Sequence, residues 1–94
     1  MNEKQIPIEI GNEMVGGVYS NVAVISHSEN EFITDFILAH PPKGKVNARV
    51  IMSPAHAKRL LKALQNNINM FEKKFGPIKE SGEPPKFGIE FSNN

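Results

Sequence analysis

The stretch "MSPAHAKRLLKALQNNINMFEKKFGP", residues 52–77, constrains this chain more than any other. Apolar residues recur at Ala57, Leu60, Leu61, Leu64, Ile68, Phe71 and Phe75. That 3.6-residue period puts them on one side of an α-helix of about six turns. Ser53 stands where a hydroxyl takes an orphan N–H of the first turn, and Pro54 follows with φ already set for a helix. His56 occupies the position at which Glu or Gln would complete a capping box. Lys73 and Lys74 suit the negative end of the helix dipole, and Gly76 then Pro77 stop it. At 1.5 Å per residue, residues 53–75 span about 34 Å, more than an eight- or nine-residue strand at about 3.3 Å per residue. The helix is therefore expected to overhang any sheet it covers.

The sheet is legible upstream. "VYSNVAVIS" (18–26) and "EFITDFILA" (31–39) are rich in β-branched and aromatic residues, and the polar turn "HSEN" separates them. "HPPKGK" (40–45) reads as a loop by its prolines and glycine, and "VNARVIM" (46–52) alternates as a further strand running straight into the helix. Earlier, "QIPIEIG" alternates Ile6, Ile8 and Ile10, which suggests a short additional strand; Pro7 lacks an N–H and confines it to an edge or a strand start. "NEMVGG" between them reads as a loop. The expected class is α+β: an antiparallel meander of three to four strands followed by one long amphipathic helix packed on one sheet face. The expected core is Val22, Val24, Phe32, Phe36, Val50, Leu60, Leu64, Ile68 and Phe71.

Both faces of the predicted hairpin carry apolar side chains: Phe32, Phe36 and Leu38 on one, Ile33 and Ile37 on the other. A sheet with one solvated face alternates more cleanly. One helix covers one face, so a second copy of the chain is the expected cover for the rest. A chain of 94 residues also has room for one domain only, and a domain that small is marginal alone. That domain is placed at residues 1–76. In residues 77–94, Pro77 is followed by the linker-like "IKESGEPPK" (78–86) and then "KFGIEF" (86–91), where Phe87, Ile89 and Phe91 alternate; a flexible tail is favoured over a docked strand because Gly88 weakens one and termini fray.

Charge and chemistry narrow the function classes. Residues 1–35 hold one lysine against six acids; residues 36–71 hold six cations (Lys43, Lys45, Arg49, Lys58, Arg59, Lys62) and no acid. Such separation marks either a nucleic-acid surface or complementary strands and subunits facing one another. Those six cations are the candidate binding residues of the first reading. Asn66, Asn67 and Asn69 stand ready to add hydrogen bonds, but few aromatics are placed to stack single strands. No catalytic, cofactor-binding or metal-ligating set is expected. His27, His40 and His56 fall in three different elements, and the serines lack a nucleophile-elbow context. Asp35, alone in a strand between Thr34 and Phe36, is either a half-buried base or the partner of a cross-strand cation, with Arg49 the natural candidate. The chain has no cysteine, which fits a reducing cytoplasm, and no apolar run long enough to span a membrane.

Three pieces, "YSN" at 19–21, "SHSENEFITDF" at 26–36 and "SPAHAKRLLKAL" at 53–64, resemble in order and spacing the short bacterial and archaeal proteins grouped as domain of unknown function 3467. The likeness covers residues 17–76. Where many relatives carry an acidic residue in the helix's first turn, this chain has Ala55 and His56, a difference confined to the cap. The resemblance implies no activity, so no catalytic role is carried over. The layout of a meander followed by one long helix is also similar to that of export chaperones of the SecB type, a likeness of architecture alone. The expected function is thus a non-enzymatic homo-oligomeric module binding protein segments, with nucleic-acid binding as the alternative.

Overall fold

The structure, a computed structural model, describes residues 4–80. Along the chain come a single helical turn α1 (Asn12–Val15), strands β1 (Val22–His27), β2 (Phe32–His40) and β3 (Lys43–Met52), and the long helix α2 (Pro54–Phe75). The strands form one antiparallel sheet in the order β1-β2-β3, so the class is α+β as expected. The chain divides into two compact units, residues 1–59 and 60–94.

In the first unit, the β1–β2 turn keeps its expected length and the β2–β3 connection is shorter than its composition suggests. Ser28 makes the β1–β2 turn: its N–H donates to the Glu31 carbonyl, and its hydroxyl accepts the amides of Asn30 and Glu31 at 3.3 Å. The loop expected at residues 40–45 shrinks to Pro41 and Pro42, joined by a cis peptide bond, with Lys43 already in β3. Two prolines that pre-set φ suffice to reverse the chain. A register shift between Phe36 and Ile37 leaves Asn47 as an extra residue on β3, a bulge.

Three expectations are corrected in this unit. Residues 6–10 form no strand, so the sheet has three strands; Ile6, Ile8 and Ile10 stand 77%, 90% and 64% exposed. "NEMV" is not loop but the single turn α1. β1 begins at Val22 rather than Val18, and the preceding Tyr19, Ser20 and Asn21 instead reach β2 and β3 through hydrogen bonds.

The core is also smaller than expected. Ile37 and Met52 are its buried apolar side chains, joined by Thr34 and Asp35. Val22, Val24, Phe32 and Phe36 are half-buried, and Val50 is exposed. A single sheet layer is the reason: nothing in residues 4–59 forms a second layer facing it, and α1 has no buried residue.

Helix α2 follows its sequence signals closely. Ser53 caps it, its hydroxyl accepting the His56 amide at 3.1 Å, and the Ala57 amide donates to the Ser53 carbonyl at 2.9 Å. Gly76 closes it at φ 95°, a left-handed conformation that a side chain resists, with its amide on the Glu72 carbonyl. Yet no residue of α2 is buried. Leu60, Leu64 and Phe71, expected in the core, are exposed, and Ile68 is half-buried. The amphipathic pattern specifies the helix; it does not supply the surface that would cover the stripe. The expected tail at residues 77–94 lies outside the described residues from residue 81 on, as does the strand alternative at residues 87–91.

Candidate functional site

The centre of the sheet is built around one cross-strand pair. The register sets Asp35 opposite Arg49 on the same face, flanked by Ile33 and Ile37 on β2 and by Val24 on β1. The Arg49 guanidinium donates from Nε to Oδ1 at 2.6 Å and from Nη2 to Oδ2 at 2.8 Å. Such a bidentate fork is among the stronger charge-assisted hydrogen-bond geometries of a carboxylate and fixes its orientation. The Arg49 hydrogen bonds hold the Asp35 carboxyl below its ordinary range, against the opposing effect of burial, and the same contact raises Arg49. With both oxygens occupied and the charged form favoured, Asp35 is poorly suited to accept a proton as a general base near neutral pH. The alternative posed by the sequence resolves to the cation pair.

Around that pair, the residues that carry the resemblance are holding the backbone. Asn21 clamps Ala39: its side-chain carbonyl accepts the Ala39 amide at 2.8 Å, and its amide group donates to the Ala39 carbonyl at 2.9 Å. Its own backbone N–H donates to the Ile37 carbonyl at 3.0 Å. The Ser20 hydroxyl lies within hydrogen-bond distance of the Val22 and Ile37 carbonyls. The bulged Asn47 donates to the Tyr19 carbonyl at 2.8 Å, tying the segment before β1 to β3. "YSN" is thus a sheet-end clamp, "SHSENE" a turn and "SPAH" a helix cap. Asn21 and Asn47 were missed as individuals by residue-type reasoning. Their only sequence signal was position, at a strand entry and in an alternating run.

The six candidate cations do not form one cluster. Lys43 and Lys45 lie on one face of the start of β3, while Arg49, beyond the bulge, lies on the opposite face with Asp35. Lys58 and Lys62 are one turn apart on α2, and Arg59 shares their polar side. The three histidines stay apart; His27 stacks on Phe32 with ring centroids 5.3 Å apart. Among the described residues, no three His, Cys, Asp or Glu side chains gather as a metal site would require. No helix among them is long and apolar enough to cross a membrane.

What remains open is apolar surface. On the sheet, Ile25, Leu38 and Val50 are exposed on one face and Val46 and Ile51 on the other. On α2, Leu60, Leu61, Leu64, Phe71 and Phe75 are exposed along one stripe, and the last two rings touch at 4.9 Å. Over residues 1–80 the chain matches the family described as protein of unknown function (DUF3467). It belongs to that family. No curated protein and no solved structure matches the chain. The family's description carries no activity, so this DUF3467 member is read from its own surfaces.

Proposed function

We propose that this protein is a non-enzymatic, homo-oligomeric module of a reducing cytoplasm that binds segments of other proteins through apolar surface. One observation carries the reading: large apolar side chains stay open on both sheet faces and, along α2, at Leu60, Leu61, Leu64, Phe71 and Phe75. Each such side chain left in water forgoes about 1.5–3 kcal/mol of burial. Several together equal a sizeable share of the roughly 5–15 kcal/mol that stabilises a typical domain. A second copy and a bound extended segment are two covers that recover this energy. The engagement of Asp35 by Arg49 supports the non-enzymatic part, since it occupies the one carboxylate set into the sheet.

The alternative, a nucleic-acid-binding module, draws on Lys58, Arg59 and Lys62 on the polar side of α2 and on Lys43 and Lys45 of β3. Salt separates the two readings. Suppression of an unfolded client's aggregation, unchanged between low and high salt, is the expected result. Binding to generic DNA or RNA that falls steeply with salt, as counterion release dictates, would replace this reading by the alternative.

A further inference from the structure

The two outer strands of the sheet differ in how their free edges are defended. β3 carries Lys43, Lys45 and Arg49 and the bulge at Asn47, and charge and bulges are what keep an edge from pairing with another chain. β1 reads Val22, Ala23, Val24, Ile25, Ser26, His27: no lysine, arginine, acid or proline, and no register shift against β2. No strand pairs with its outer edge among the described residues. Such an edge is a template for a further strand.

The turn fixes which backbone groups that edge offers. The Ser28 N–H donates to the Glu31 carbonyl. In the β1–β2 register, Ser26, Val24 and Val22 then spend their N–H and C=O groups on Ile33, Asp35 and Ile37. Ala23, Ile25 and His27 turn theirs outward. Their side chains share one sheet face, where Ile25 is 63% exposed.

We infer that two copies of this chain join through β1, antiparallel about a twofold axis at Ile25, into one continuous sheet in the order β3-β2-β1-β1-β2-β3. The inference rests on the homo-oligomeric part of the function proposed above and names the contact that makes the oligomer.

The register is self-complementary. With Ile25 opposite the partner's Ile25, Ala23 stands opposite the partner's His27, and His27 opposite the partner's Ala23. These are the residues whose N–H and C=O groups point outward, so each pair exchanges both bonds. The Ile25 side chains meet on the same face of the joined sheet and cover each other.

Charge and closure select the partner's β1 as the occupant. A neutral strand meets its own copy with no like charges opposed. Pairing β3 with β3 instead sets Lys43, Lys45 and Arg49 beside the same cations, which destabilises a ladder. Pairing β1 with β3 leaves a free edge on each added copy, so addition runs on into a filament. The twofold β1 pairing closes, and the edges left outside are the defended ones of β3.

Ile25 is exposed in the single chain, so charged substitutions there leave the fold standing. Ile25→Lys and Ile25→Glu each oppose like charges at the axis. By light scattering coupled to size exclusion, each variant alone is expected at half the native mass. Their equimolar mixture is expected to regain the native mass, since lysine then faces glutamate, and that recovery shows both variants folded. The native chain has no cysteine, so Ile25→Cys supplies an independent measurement: mild oxidation is expected to give a covalent pair at twice 10.4 kDa. A native oligomer whose mass the single variants keep, or the mixture does not regain, would overturn the β1 contact and leave the oligomer. Absence of the covalent pair would do the same. A native mass of 10.4 kDa removes both.

Discussion

The three-stranded sheet and helix α2 are both announced in the sequence, and they differ in what holds them. The sheet is secured by polar contacts across its strands and with the segment before β1: a bidentate Asp35–Arg49 pair, a clamp from Asn21 onto Ala39 and the bulged Asn47 tied to Tyr19. α2 is secured by contacts within itself, the Ser53 cap, the Gly76 closure and the Gln65–Asn69 and Asn67–Ala63 hydrogen bonds, while no residue of its stripe is buried. Polar contacts are local and need only a neighbouring strand. Apolar burial is collective and needs a second surface. The contrast locates the protein's unfinished business on its apolar surface rather than at its polar centre.

The largest expected effect tests that contrast on the helix. Leu64 is 56% exposed in the single chain, and a surface substitution there would change stability by only about 0.5 kcal/mol. If the stripe is covered in an oligomer, Leu64→Ala instead costs about 2–4 kcal/mol. Urea unfolding at several protein concentrations is expected to show the larger cost together with a concentration-dependent midpoint. A small, concentration-independent change would make the stripe a solvated face.

On the sheet side, Asn21→Ala leaves the Ala39 amide and carbonyl without their partners. A cost of about 1–2 kcal/mol is expected from thermal unfolding, at the low end if water replaces the amide. Hydrogen exchange at Ala39 is expected to accelerate at the same time. Ser53→Ala removes the cap and is expected to cost about 1 kcal/mol, with Ser53→Asp restoring most of it because an aspartate accepts the same amide. Loss in both variants would point to the serine hydroxyl serving more than the cap.

The acid limb of the stability curve probes the ion pair. Asp35 has a folded pKa below its unfolded value of about 3.9. Its contribution is therefore fully present above that value and is lost as pH falls through the lower folded pKa. Asp35→Asn is expected to flatten this part of the curve while lowering stability at neutral pH. An unchanged acid limb would mean that other carboxylates set it.

Local signals were read from the chain alone wherever an element depends on its own residues. The helix bounds followed from Ser53, Pro54 and Gly76, because capping is settled within one turn. The Asp35–Arg49 pair was legible because a strand alternation and a lone carboxylate leave few cross-strand choices. The DUF3467 pieces were legible as a signature, but not as a clamp, a turn and a cap, since a side chain's partner seventeen or eighteen residues away is invisible without the register.

Burial could not be read this way. An alternating Ile6, Ile8 and Ile10 says that a strand would have an apolar face, and a heptad-like stripe says the same of α2. Neither says whether a surface exists to receive it. The sequence by itself determined strand β2, the 46–52 part of β3 and helix α2 to within a residue or so, because backbone propensity, capping and turn chemistry act over a few residues. Only the tertiary structure decided that residues 6–10 pair with no strand among the described residues, that the buried side chains among those residues are Ile37, Met52, Thr34 and Asp35, and that the apolar surface described above stays open. Those outcomes depend on what lies across each face, and that is a property of the assembled layers rather than of any segment.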